Sequence, residues 1–352
     1  MTVTVRSFAK INLGLCIGAP RPDRFHDLRT VYQTVALHDI IRVQVGRGTG
    51  VEIRCADPRV PKDASNTCYR IVEPAMAALR ARGRVIITIE KRLPVQGGLG
   101  AGSGNAVATL LALERALKKE LSGAEKLRIA AEVGSDLPLF LVGGTALGVG
   151  RGEEVYPLPD LRSTHCVVVT PDIGVSTPGA FADWDAMIGG ASEPAELRSA
   201  RTGHRPVPTP PGEGTTASKL TAPHPSDRML EFGRAVSAWL SGQPLSGVPV
   251  SKGRGRAETS LLDLVRTGIE NDFEQVVFPK YPELCEVKRV LERAGAFYAS
   301  LSGSGSAIYG LFRSRAGAQK AAARLQRDGV PAVATTTLTR RQYWKKFPVS
   351  GF

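Results

Sequence analysis

The 352-residue sequence lacks any apolar run of about 20 residues, so no segment reads as a membrane span. It also lacks paired cysteines. Cys16, Cys55, Cys68, Cys166 and Cys285 are scattered, none forms a Cys-x-x-Cys pair, and none lies near a histidine at metal-ligand spacing. The five histidines show no metal spacing of their own. Buried structural thiols are therefore expected, rather than disulfides or a protein-held metal. No internal repeat is present. The opening residues Met1-Thr2-Val3-Thr4-Val5-Arg6 enter an alternating strand pattern with no leader before it, so the cytoplasm is the expected compartment. Acidic residues are in deficit, 33 against 46 lysines and arginines, for a net charge of +13. The excess is spread along the chain, with arginine-rich pieces at 198–205, 252–256 and 340–346, and no basic stripe is interleaved with aromatics. That pattern fits a field that steers anionic small molecules better than a nucleic-acid surface.

The most informative segment is Pro94-Val-Gln-Gly-Gly-Leu-Gly-Ala-Gly-Ser-Gly-Asn-Ala106, with five glycines in the eight positions 97–104. Such a run brings bare backbone close to a ligand, and the helix expected from about Asn105 adds unpaired N–H groups and the positive end of its dipole. Together these make a cradle for a di- or triphosphate. The alternative reading is a flexible loop before a helix. No Gly-Lys-Ser/Thr follows, which excludes a Walker A loop, and the dinucleotide spacing Gly-x-Gly-x-x-Gly is not met.

Alternation predicts strands at 2–8, 11–18, 29–37, 40–45 and 84–90, with Asp39 as a separator. Helices are expected at 66–82, with Asn66 as N-cap, at 105–120, and from a capping box at Ser122–Glu125 to about Val133. A hairpin is expected at 145–157. Residues 189–226 and 242–256 are rich in Gly, Pro, Ser, Thr and Arg and read as mobile surface insertion. From Asn271 the order is helix 280–294, strand 297–301, a turn, strand 306–312, helix 314–327 and strand 331–337. That order suits an α+β layer. The basic, aromatic tail 340–352 has no evident role.

Three segments, Ala9-Lys10-Ile11-Asn12-Leu13-Gly14-Leu15, the glycine loop and Leu301-Ser302-Gly303-Ser304-Gly305-Ser306, resemble in order and distance the three motifs of the GHMP kinase superfamily. Within it, Arg24-Phe25-His26-Asp27-Leu28 with Gln33 and Asp39, Glu90–Pro94, Gly134–Pro138, Asn271–Glu274 and Tyr281–Leu284 resemble the kinases that act on a cytidine diphosphate ester of methylerythritol. The resemblance covers about 1–185 and 270–337. It implies an α+β fold of two domains, ribosomal-protein-S5-like at 1–160 and ferredoxin-like at 161–340 with the insertion at 189–262, followed by the tail at 341–352. It implies ATP-dependent phosphorylation of the 2-hydroxyl of 4-diphosphocytidyl-2-C-methyl-D-erythritol, in the non-mevalonate route to isoprenoid precursors. ATP and Mg²⁺ are the implied cofactors. No nucleic-acid or membrane partner is implied, and the chain is expected as monomer or homodimer. Homoserine or mevalonate kinase chemistry is the alternative within the superfamily, and a non-catalytic sensor or nucleic-acid binder is the alternative outside it. Phe25-His26 argues against the first, and the presence of both Lys10 and Asp136 against the second.

Residue by residue, the resemblance makes Asp136 the catalytic base and Lys10 its partner. On the residues alone, a plain helix N-cap is the slightly favoured reading of Asp136, and a strand-edge lysine in solvent is the lesser reading of Lys10. Pro94, Gly97, Gly98, Leu99, Gly100, Ala101, Gly102, Ser103, Gly104, Asn66 and Lys91 are implied to hold ATP, with Ser103 also a contact for Mg²⁺. Asn12, Phe25, His26, Thr177 and Phe181 are implied to bind the substrate, the two phenylalanines sandwiching cytosine and His26 meeting the base edge. Each has a plainer reading, as core aromatic, surface histidine or polar strand-end residue. The chain departs from the family loop: Ala101 replaces a glycine, Gly104 a second serine and Val107 an alanine. Phe25 stands where a tyrosine is usual. The serine lost at 104 is expected to cost one hydroxyl contact to phosphate or Mg²⁺.

Overall fold

The computed structural model describes residues 2–95, 97–191, 225–241 and 269–349. Among the described residues, ten strands form two sheets. The first holds six strands: β1 (Thr2–Pro20), β2 (His26–Gly46), β3 (Val51–Cys55), β4 (Arg84–Glu90), β5 (Thr145–Val149) and β6 (Glu154–Pro157), in the order β3-β4-β2-β5-β6 with β1 paired to β2. The second holds β7 (His165–Val169), β8 (Tyr298–Leu301), β9 (Ile308–Phe312) and β10 (Ala332–Thr336), in the order β10-β7-β9-β8 and antiparallel throughout.

The first four expected strands fuse into two. β1 and β2 pair antiparallel along almost their whole length, with register shifts between Phe8 and Ala9 and between Asn12 and Gly14. Bulges of this kind let a strand switch which face it presents. Val3, Val5 and Phe8 accordingly enter one core, whereas Ala9, Ile11 and Leu13 enter another. Strict alternation does the same work in β7: Cys166 and Val168 face the core shared with β1, and Val167 and Val169 face the helices of the second sheet.

Helices α1 (Thr67–Ala78), α2 (Ala101–Leu117) and α3 (Gly123–Val133) cover the first sheet. Asn66 and Ser122 cap α1 and α3 as expected, accepting from Cys68 N–H and Glu125 N–H. Buried α2 begins at Ala101, four residues before the expected start, because Gly100 adopts the left-handed conformation (φ 67°) that turns the chain directly into it. α4 (Leu137–Val142) follows. The second sheet carries α5 (Thr177–Ala191), α7 (Glu274–Lys280), α8 (Pro282–Arg293) and α9 (Arg315–Arg327).

Two segments after α5 pack more closely than their composition indicates. Of the expected insertion at 189–262, most lies outside the described residues, but Pro225–Ser241 is a helix, α6, which buries Phe232, Ala235 and Val236 against the core that contains Ile11 and Leu13. The tail is not peripheral either. Arg340–Lys346 form α10, with a capping box at Thr339 and Gln342, and Tyr343 and Phe347 are buried in the core of the first sheet. Cys16, Cys68 and Cys166 are buried, whereas Cys55 and Cys285 are only half-buried. Burial pushes the Cys16 and Cys68 thiols up to about 12.

Candidate active site

Lys10 projects from the middle of β1 and is 4% exposed. An ammonium this deep is costly unless paired. Its Nζ lies 3.4 Å from Asp136 Oδ2, donates to Asn12 Oδ1 at 2.7 Å, and sits 5.6 Å from the Tyr32 ring centroid. Asn12 passes the constraint on, its Nδ2 donating to Thr30 Oγ1 at 2.8 Å, and Thr30 donates to Gly14 O at 2.7 Å. The amide of Asn12 is thus spent on orienting Lys10.

Asp136 stands at the N-cap position of α4, yet its side chain makes no capping hydrogen bond. The carboxylate, about one-third exposed, faces Lys10 instead and accepts from the Tyr32 hydroxyl at 3.0 Å. Burial raises the Tyr32 phenol well above its ordinary range, and the Asp136 charge raises it further, so the hydroxyl stays protonated and donates.

The glycine loop is folded onto this pair. Lys10 N–H donates to Leu99 O at 2.9 Å, and a Cβ on Gly100 would approach the Phe140 ring to 2.9 Å and Lys10 Cγ to 3.0 Å. Gly98 (φ 72°) has no space for a side chain, because Ser302 O occupies it, and Ser302 Oγ donates back to Gly98 O at 2.9 Å. Ala307 N–H donates to Gly97 O, and a Cβ on Gly303 would lie 3.5 Å from Lys10 Nζ. The three motifs therefore converge on one residue, Lys10. Pro94 packs beside Gly97. Ala101, Gly102 and Ser103 form the first turn of α2, where N–H groups have no partner within the helix. Thr67 Oγ1 donates to Gly102 O at 2.8 Å, tying α1 to that turn.

Several predicted site residues are placed differently from expectation. Gly104 N–H is already spent on Gly100 O, and its Cα faces β1. Asn66 is occupied at both ends, by Cys68 N–H and Pro61 O. Lys91 is a buried cation, 2.7 Å from Asp39 Oδ2. Asp39 also accepts from Arg92 N–H, Leu93 N–H and Asn105 Nδ2, so it joins β2, the end of β4 and α2. Phe25 and Phe181, expected to sandwich cytosine, have different ring partners. Phe181 stacks on His26, with centroids 4.9 Å apart and planes at 10°, and His26 Nε2 is 2.8 Å from Asp185 Oδ1. Phe25 is half exposed and lies under the Arg151 guanidinium at 4.9 Å. The Arg151 turn also approaches the pair, since a Cβ on Gly152 would come within 2.6 Å of Tyr32 Oη and 4.0 Å of Asp136 Oδ1. Thr177 joins the third motif through Ser304 Oγ at 2.7 Å.

Sequence reasoning missed Tyr32, Asp185 and Arg151. Tyr32 faces Asn12 across the β1–β2 register, a relation that only the bulged pairing reveals. Asn271 and Glu274 hold the third motif from below: Asn271 Nδ2 donates to Leu301 O and Gly303 O, and Glu274 Oε1 accepts from Ser300 Oγ and Leu301 N–H.

The family description "GHMP kinases N terminal domain" matches residues 66–144, and "GHMP kinases C terminal" matches 257–331. A 4-diphosphocytidyl-2-C-methyl-D-erythritol kinase of Solibacter usitatus is 34% identical over 97% of this chain and 92% of its own length. One of Acaryochloris marina is 33% identical over 92% of this chain and 91% of its own. A crystal structure of 4-(cytidine 5'-diphospho)-2C-methyl-D-erythritol kinase superposes with a TM-score of 0.64 at 27% identity, covering 95% of this chain and 98% of that one. A homoserine kinase from Cytophaga hutchinsonii superposes with a TM-score of 0.66 at 18% identity, over 96% and 95% of the two chains, a likeness of fold alone. The α+β fold expected from the motifs is the GHMP kinase fold, and the chain belongs to the 4-diphosphocytidyl-2-C-methyl-D-erythritol kinase family.

Proposed function

We propose that the Lys10–Asp136 pair is where this kinase transfers phosphate from ATP to the 2-hydroxyl of 4-diphosphocytidyl-2-C-methyl-D-erythritol, in the non-mevalonate route to isoprenoid precursors. The observation that carries the reading is the convergence of all three motifs on Lys10. Phosphoryl transfer needs a placed γ-phosphate, offset of its charge and an acceptor for the hydroxyl proton. The Asp136 carboxylate takes the proton, the alkoxide oxygen bonds to the γ-phosphorus, and the bond to the bridging oxygen breaks to release ADP. Lys10 orients the carboxylate and offsets charge on the transferring group. The first-turn N–H groups of Ala101, Gly102 and Ser103 receive the phosphates of ATP.

The Ser103 side chain has no hydrogen-bond partner among the described residues and stands on that same turn. This fits a Mg²⁺ held mainly by the nucleotide, with Ser103 as a protein contact. The ion would supply charge neutralisation between the phosphates. His26 and Phe181, already stacked, form one wall for cytosine, with Thr177 beside them. Arg151, whose guanidinium lies over Phe25 and pairs with Glu153 at 3.1 Å, is the cation we assign to the substrate's diphosphate. Residues 1–160 form the nucleotide-binding domain and 161–340 the second domain, in the cytoplasm.

Coupled ADP release with three alcohols tests the specificity. Turnover is expected with the cytidine diphosphate ester of methylerythritol. Equal turnover with homoserine or mevalonate would overturn the cytosine wall.

A further inference from the structure

The residues after the second sheet carry a feature that the reaction as described does not use. α10 lies against the first sheet and reaches both members of the candidate pair. On one side it is tied to β1, which bears Lys10: Arg6 N–H donates to Phe347 O at 2.8 Å, Arg6 Nη1 donates to Lys346 O and Pro348 O, and the Tyr343 and Phe8 rings are 5.3 Å apart. On the other side it closes the end of α4, at whose start Asp136 stands. Tyr343 Oη donates to Phe140 O at 2.7 Å and Trp344 Nε1 donates to Val142 O at 3.2 Å. A short helix leaves its last carbonyls without intrahelical partners. In α4 the tail supplies two of them, so α4 cannot shift along its axis without breaking bonds to α10. Gly143, just past α4, has a φ of 69° and the Tyr343 ring where a side chain would go. Phe140 completes the chain of contacts. Its carbonyl is held by Tyr343, and its ring is the surface on which Gly100 turns the phosphate loop into α2.

We infer that α10 is a positioning element for the phosphoryl-transfer site, in which Tyr343 and Trp344 fix the α4 carbonyls and thereby set the Asp136 carboxylate against Lys10 and the Gly100 turn. This rests on the reading of Asp136 as the base. Tyr343 and Trp344 touch neither ATP nor alcohol in this account and act only through α4. A small displacement of a catalytic group lowers the chemical step without weakening ground-state binding.

The test is a double-mutant cycle read as kcat at saturating ATP and alcohol. Tyr343→Phe keeps the buried ring and removes the hydroxyl. It is expected to lower kcat by about threefold to tenfold, with both KM values within about twofold, as loss of one positioning hydrogen bond implies. In the Asp136→Asn background the same substitution is expected to change kcat by less than about twofold, because no base remains to be misplaced. Trp344→Phe runs the same cycle and carries the test if Tyr343→Phe does not fold. A lowered melting temperature with wild-type kcat, or an equal fall in both backgrounds, would make α10 a purely structural strap and overturn the inference. Wild-type kcat in Asp136→Asn itself would instead overturn the base, a separate failure with its own signature.

Discussion

At Gly104 the first turn of α2 lies against β1, and a Cβ there would sit 2.9 Å from both Phe8 O and Ser7 Oγ. The backbone conformation is helical, so φ is no obstacle. What glycine provides is close approach between helix and strand. The expectation that a serine at 104 would restore a phosphate contact therefore does not hold, since its side chain would press into β1. Gly104→Ser is expected to lower stability by about 1–3 kcal/mol, the usual range for overpacking a tight core. ATP affinity should stay the same or fall. Tighter ATP binding with an unchanged melting temperature would show that position 104 does face the nucleotide. Asp39 makes a related point about buried charge. Lys91, two backbone amides and Asn105 all converge on it, so the Lys91 ammonium is committed to holding the loop's flanks rather than free to meet ATP.

Among the elements, α6 departs most from what its surroundings in sequence indicate. It lies between Pro- and Gly-rich stretches, yet it packs on β1 and β2: Arg29 Nη1 donates to Met229 O, and Arg228 pairs with the buried Asp272 while lying over the Trp184 ring. Phe232 is 6% exposed and Leu230 is 48% exposed. Phe232→Ala should cost about 3 kcal/mol in urea unfolding, and Leu230→Ala well under 1 kcal/mol. Equal small effects would mean that α6 adds nothing to the core. Elements with strong local signals were legible beforehand, including α1 and α3 with their caps, β4, and the strands and helices of the second sheet from Pro282 onward, whereas α7 was not expected. The first turn of α2 was not, because its glycines carry low helix propensity and only packing against Phe8 and Phe140 makes them helical. α6 and α10 were hidden for a different reason: α6 lies between stretches whose composition reads as surface insertion, the tail gave no local signal, and most of their partners are distant in sequence. At the site, Lys10, Asp136 and the loop could be read from local motifs. Tyr32, Asp185 and the Lys91–Asp39 pair depend on strand register and tertiary contact, which a single sequence does not carry.

At the scale of the whole molecule, two sheets and their helices bring β1, the glycine loop and the turn after β8 to one place, and Lys10 is the group they share. The second sheet contributes through backbone: Ser302, Gly303 and Ala307 shape the glycine loop, and Asn271 and Glu274 brace them. The net charge of +13 suits a molecule that must draw two polyanionic ligands into that junction. The account stands on Asp136 as the proton acceptor, and the most direct measurement is kcat of Asp136→Asn at saturating ATP and alcohol. The expected result is a fall of about 10²-fold or more, the usual weight of a general base, with KM for ATP little changed and the protein folded. A folded Asp136→Asn enzyme with near wild-type kcat would contradict it.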